Sequence, residues 1–222
     1  DGIWRAWMNG AAGFLIPQLV IRPLLLMALS GTGYAAWAES NPLAYTVVTA
    51  FFVALLELAG RCAGAGLLRK DLTFTQALAA GLGHGGIESI ILIGISYVNN
   101  LMLLVMLQNG QFDAMLAEAA ANGTDTAELT AAAIAIQAPS AGLFLLAGLE
   151  RVLTMICQTC MTAMVFYGFR KKDSRWILGC LGIHFLLDSL TGIPQFLSSQ
   201  ALTYSLVYLV LAVMAALCLW IL

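Results

Sequence analysis

The 222-residue sequence predicts an all-α protein, a polytopic transmembrane helical bundle of about six spans. Three observations lead there. Hydrophobic residues make up 61% of the chain and charged residues only 10%, where an ordinary soluble domain carries roughly 25% charged residues. Mean hydropathy is +0.89. The apolar residues also gather into stretches of about 20 or more, the length a helix needs to cross the hydrocarbon core. These stretches consume nearly all of residues 1–222, so a single transmembrane domain is expected, with the lipid bilayer as its solvent. Such a composition excludes nucleic acid as a partner.

Breaks at polar and Pro/Gly clusters place the spans at about 10–34, 43–68, 75–107, 139–169, 175–196 and 201–222. In the first, Pro17, Arg22 and Pro23 predict an irregular helix. The second is regular, and Gly60 and Gly64 give it a face on which a neighbouring helix can approach closely. The third is too long for one untilted crossing, and Gly94, Asn99 and Asn100 predict a kink or an exit before Leu107. Residues 108–140 form an extracytoplasmic loop with short helices: Gln111 to Gln137 is rich in alanine, and Asn122 and Gly123 break it into two helical pieces. The fourth span is again long, while the fifth and sixth have ordinary lengths.

Charges at the span ends set an expected orientation. Arg5, Arg69, Lys70, Arg170, Lys171, Lys172 and Arg175 fall on one side if the chain alternates. Glu39, Asp113, Glu118, Asp125 and Glu128 fall on the other, where residues 108–140 contain no lysine or arginine. The basic side is cytoplasmic by the positive-inside rule, which puts residues 1 and 222 both inside. The chain opens at Asp1 without a methionine, so the numbering is expected to start inside a longer protein. Cys62, Cys157, Cys160, Cys180 and Cys218 all lie in apolar segments, and Cys157 and Cys160 read as small packing residues on one helix.

Ionisable residues inside the spans carry the functional signal. Insertion scales put a charge at the bilayer centre at about 2.5 to 3.5 kcal/mol, so such groups face one another or a wet cavity and mark function. Here three pairs stand four residues apart, on one helix face each: Glu57 with Arg61, His84 with Glu88, and His184 with Asp188. Around His84 stand Gly81, Gly83, Gly85 and Gly86, which open space for backbone contact or a ligand. The fourth span adds Glu150 and Arg151, which as neighbours point apart, one toward the interior and one toward another carboxylate. Gln158 lies two turns further on roughly the same face. Counted from the cytoplasmic ends, Glu57, His84 and His184 share a depth of roughly 13 to 17 Å. A common polar chamber near the midplane is the expectation.

These residues, in this order, resemble the YhfC family of bacterial membrane peptidases, within the wider clan of glutamic intramembrane proteases. That clan also includes type II CAAX prenyl endopeptidases, the PrsW proteases and a scaffold subunit of gamma-secretase. Glu57 and Arg61 resemble the clan's first motif; Gly83, His84, Gly85, Gly86 and Glu88 are similar to the family's most distinctive one. Glu150 and Arg151 match a third, and His184 with Asp188 resembles the last. Two positions depart from the pattern. The clan usually shows two adjacent glutamates, but Leu58 follows Glu57, which leaves open whether Glu57 or Glu88 is the base. Gln158 stands where the family has a histidine, which weakens a metal site that needs a third imidazole. The sequence also begins late relative to the family, and the resemblance implies one more N-terminal span before it.

The resemblance implies an intramembrane endopeptidase of a bacterial cytoplasmic membrane, acting on a membrane-embedded or membrane-proximal polypeptide. Its catalytic residues would be Glu57, Arg61, His84, Glu88, His184 and Asp188, supported by Glu150, Arg151 and Gln158. No cofactor and no metal is expected, with zinc as the alternative. A proton- or ion-coupled transporter and a non-catalytic membrane scaffold are the competing functions, since buried acid and histidine chains serve those too.

Overall fold

The computed structural model describes residues 2–68, 72–137 and 141–222, with side chains at all of these but 128 and 141. Residue 1, Arg69, Lys70 and the Glu128 side chain, all used for the expected orientation, lie outside the described residues. The protein is helical, with no strand among the described residues. Helix α1 (Gly2–Leu15) runs through a π-helical turn (Ile16–Ile21) into α2 (Arg22–Leu29). A short α3 (Tyr34–Ser40) precedes α4 (Pro42–Leu67), which starts on Pro42, where a missing N–H costs no helix bond. Helix α5 (Phe74–Ser89) continues through a second π-helical turn (Ile90–Gly94) into α6 (Ile95–Gln108). Then come α7 (Gln111–Ala121), α8 (Ala127–Gln137), α9 (Ala141–Lys171), α10 (Ser174–Gly192), a 3-10 turn (Ile193–Phe196) and α11 (Gln200–Ile221).

Six of these runs are long and apolar enough to cross a membrane: Gly2–Leu29, Pro42–Leu67, Phe74–Gln108, Gly142–Lys171, Ser174–Phe196 and Gln200–Ile221. The protein is an integral membrane protein. The irregularity expected at Pro17 is the first π-helical turn, and the one expected near Gly94 is the second. The break at Asn122 and Gly123 separates α7 from α8, with Gly123 at φ +73°, a conformation that favours glycine. One boundary moves clearly: the first span begins at Gly2 rather than near residue 10. Ala6 is fully buried on the inner face of that early turn while Trp4 is 72% exposed, so the extra turns already carry a packing face and a lipid face.

Packing divides the chain into two units, Asp1–Glu88 with Glu150–Leu222, and Ser89–Leu149. The first has its core around α9, where Cys157, Cys160, Met161 and Val165 are completely buried against Ala65 of α4, Cys180 of α10 and Cys218 of α11. All five cysteines are free. Outward, large apolar side chains such as Leu67, Leu178 and Trp220 are exposed, as a lipid-facing surface requires. In the second unit Phe112 and Ala133 are buried, and the rings of Tyr97 and Phe144 meet at 5.5 Å.

Within the first unit small residues bring three helices to backbone contact. A Cβ on Gly60 would lie 2.0 Å from the Gly13 carbonyl oxygen, one on Gly10 would lie 1.8 Å from that of Ala80, and one on Gly83 would lie 2.0 Å from that of Trp7. No side chain fits such gaps, so α1 lies directly on the backbones of both α4 and α5. On the other side of α5, a Cβ on Gly81 would lie 2.5 Å from the Thr159 Cα of α9. The glycines around His84 therefore do more than open space: they draw α1 and α9 against the helix that carries it.

Candidate functional site

Glu57 stands at the centre. Its α4 helix buries it to 3% exposure, and both carboxylate oxygens are engaged. Oε1 accepts from Gln18 Nε2 at 2.9 Å. Oε2 lies 3.1 Å from Arg61 Nη2, 2.9 Å from His84 Nε2 and 3.6 Å from His184 Nε2. An isolated buried carboxylate is very costly, and these donors and the guanidinium are what make this one tolerable.

Arg61, one turn along α4 and equally buried, faces the same group. Its Nη2 lies 3.1 Å from His84 Nε2 and donates to Gln158 Oε1; its Nη1 lies 3.5 Å from His184 Nδ1. Gln158 of α9 is a bridge: its oxygen accepts from Arg61, and its Nε2 donates at 2.6 Å to Glu88 Oε2. Glu88 is further approached by Arg151 Nη1 at 3.6 Å, and Arg151 also pairs with its neighbour Glu150. His184 Nε2 lies 3.5 Å from Asp188 Oδ2. Every one of the nine residues singled out in the sequence belongs to this network, which α4, α5, α9 and α10 supply together.

The structure shows which partners these residues choose and corrects one expectation. His84 and Glu88 share a face of α5, but His84 turns to Glu57 on α4 and Glu88 turns to Gln158 and Arg151 on α9. Glu150 and Arg151 were expected to point apart with one of them toward another carboxylate: Arg151 does approach Glu88, but its long side chain also meets Glu150. The periphery is less enclosed than the centre: the side chains of Asp188 and Glu150 keep 30% and 33% exposure.

Gln18 escaped the sequence reading. It lies in the first π-helical turn, next to Pro17, 91% buried, and Arg22 one turn on donates to it at 3.4 Å. The available signal was a lone amide within an apolar stretch beside a proline. Phe14 also closes on the site, packing edge to face on the His84 ring at 5.5 Å.

Several buried polar atoms in the site have no hydrogen-bond partner: His84 Nδ1, Arg61 Nε, and Arg151 Nε and Nη1. Unpaired buried donors are rare and call for an explanation, such as a ligand. Glu57, His84 and Glu88 each offer a ligand atom within 4.8 Å of the others, and all three are buried. One imidazole nitrogen and two carboxylate oxygens form a donor set chemically suited to a zinc-like divalent cation, so the residues fit such a group.

Comparison with known proteins agrees with this chemistry. A family model described as YhfC intramembrane metalloprotease matches residues 3–214. The chain is similar to the uncharacterized membrane protein YhfC of Bacillus subtilis (strain 168), 24% identical over 177 residues, which are 79% of this chain and 67% of that protein. No solved structure matches. With the family model running from α1 into α11 and so across the whole polar cluster, the chain belongs to the YhfC intramembrane metalloprotease family.

Proposed function

We propose that the chain is an endopeptidase that hydrolyses peptide bonds within a bacterial cytoplasmic membrane, on a membrane-embedded or membrane-proximal polypeptide. The observation that carries the reading is the enclosure of two carboxylates, two imidazoles and two guanidiniums by spanning helices, at one connected site.

Of the two carboxylates, Glu88 is the better placed to take a proton. Glu57 is held at both oxygens by Gln18, Arg61 and His84, so its role is to fix the imidazoles and the guanidinium. Glu88 Oε1 has only the more distant Arg151, which leaves a lone pair for water. In this mechanism Glu88 accepts a proton as the water oxygen bonds to the carbonyl carbon. The carbonyl π electrons move onto the oxygen, and Arg151 Nε and Nη1, which have no hydrogen-bond partner of their own, stabilise that oxyanion. Glu88 then returns the proton to the departing amine nitrogen as the C–N bond breaks. Gln158 holds Glu88 in register, His184 orients beside Glu57, and Asp188 steadies His184.

A second reading is favoured by the donor set of Glu57, His84 and Glu88, together with the description of the family. These three residues would hold a divalent cation. A bound zinc-type ion supplies Lewis acidity and lowers the pKa of its water to about 7. Arg151 keeps the same task in both readings.

The test is hydrolysis in proteoliposomes of a library of transmembrane peptides in water enriched in oxygen-18. The expected product carries one heavy oxygen at the new C-terminus; intact peptides across the library, with a folded chain, would argue for a scaffold or a carrier.

A further inference from the structure

We infer that Arg61 is the resident cation of the Glu57–His84–Gln158 cluster and competes with a divalent metal for the carboxylate of Glu57. The inference rests on the reading that Glu57, His84 and Glu88 hold such a metal, and it assigns to Arg61 the control of that loading.

The hydrogens on Arg61 Nη2 decide the arrangement. A guanidinium Nη2 carries two, and three atoms surround it: Glu57 Oε2 at 3.1 Å, His84 Nε2 at 3.1 Å, and Gln158 Oε1. If its two hydrogens go to Glu57 and Gln158, His84 Nε2 must carry its own hydrogen, which points to Glu57 Oε2 at 2.9 Å. The contacts of Glu57 Oε2 and Gln158 Oε1 are then matched, Arg61 Nη2 and His84 Nε2 stand 3.1 Å apart as two donors sharing Glu57 Oε2, and Nδ1 is left as a bare lone pair, in keeping with its having no partner. The tautomer follows from the network, as it must when hydrogens are assigned. The cluster is thus complete with Arg61 as its cation.

A metal needs the opposite arrangement. To ligate through Nε2, His84 must move its hydrogen to Nδ1, where nothing accepts it, although metal-bound imidazoles ordinarily donate their second N–H to a partner. Glu57 Oε2 would also have to turn its lone pair from Arg61 to the metal. To release that lone pair the Arg61 guanidinium has to move. Arg61 Nη1 already lies 3.5 Å from His184 Nδ1, a second acceptor toward which the guanidinium can shift. In these terms Arg61 sets the threshold at which the site loads.

The experiment is equilibrium dialysis of the purified full chain in nanodiscs against cobalt(II) and zinc, with cobalt absorption reporting direct ligation and no peptide substrate present. Arg61→Gln removes the competing charge. It should tighten binding of one cobalt per chain by about tenfold or more, since two cations at one donor set repel strongly even at an effective dielectric of about 20. Arg61→Lys keeps the charge and should stay near the native affinity. Adding Glu57→Gln to Arg61→Gln should abolish the tight site. If Arg61→Gln does not fold, Gln158→Ala, which unties the guanidinium and leaves all three donors, should show the same direction of change. Equal Glu57-dependent affinity in the native chain and the variants overturns the inference and leaves the metal reading standing. Absence of binding in every folded form overturns both.

Discussion

Gln18 offers the sharpest perturbation because it touches Glu57 from an element that none of the sequence motifs includes. Its amide donates at 2.9 Å to Oε1, the one donor to that oxygen among the described residues, whereas Oε2 is shared by Arg61 and His84. Gln18→Leu keeps the size of the side chain and removes that donor. A buried hydrogen bond to a charged group contributes about 1.5 to 3 kcal/mol, so losing the full amount from the reactive geometry lowers kcat by about 10- to 150-fold. The assay is cleavage of a transmembrane peptide in proteoliposomes, run beside thermal unfolding of the same preparations. The reasoning requires a fall in kcat with a KM close to native, because the donor holds a carboxylate and does not contact the peptide. Activity within twofold of native in a folded Gln18→Leu chain would refute the claim that Glu57 must be held at both oxygens.

Other consequences can be checked separately. A Cβ on Gly83 meets the Trp7 backbone oxygen at 2.0 Å, while one on Gly86 meets nothing within 4 Å; Gly83→Ala should destabilise by about 1–3 kcal/mol through overpacking, and Gly86→Ala should be neutral or stabilising by up to about 1 kcal/mol, both read by thermal unfolding in detergent. Arg151→Gln should lower kcat by about 100- to 1000-fold if its Nε and Nη1 donors hold the oxyanion, with peptide binding measured separately and retained. At the start of α10, Asp173 caps the helix by accepting from the Arg175 backbone N–H, and its carboxyl is held below the usual range mainly by the Arg175 side chain. Its folded value is the lower one, so the cap is fully present above the unfolded pKa of about 3.9 and is lost as pH falls through the folded value; protection of the Arg175 amide against hydrogen exchange should fall over that window, and Asp173→Ala should remove the pH dependence.

What was legible in the sequence, and what was not, divides along physical lines. The six spans follow from apolar length alone, because a bilayer leaves few other solutions for such stretches. The meeting of Glu57, His84 and His184 was legible from their common depth, since buried charges at one level have strong reason to find one another. Partner choice within that meeting was not. Spacing of four shows that His84 and Glu88 share a face of α5, but the energy of a buried carboxylate depends on every donor that other helices bring, and α4 and α9 offered better ones. Gln158 was legible as a supporting amide on the face of Glu150 and Arg151; only the fold makes it the bridge between Arg61 and Glu88. Gln18 was hidden by its own backbone, because a π-helical turn changes the residues that share a face and defeats counting by 3.6. The start of the first span moved because its early turns mix Trp4 and Trp7 with Asn9 and Gly10, a pattern that lowers local hydropathy without preventing a helix.

The central claim, that the enclosed carboxylates activate water for peptide hydrolysis, is tested most directly by initial cleavage rates in proteoliposomes. The comparison is between the native chain, Glu88→Gln, Glu57→Gln and His84→Ala, each with and without a chelator and each shown to be folded. The account predicts cleavage by the native chain and its loss in Glu88→Gln, with chelator sensitivity deciding whether a divalent cation takes part. A folded Glu88→Gln chain that cleaves at the native rate would contradict it.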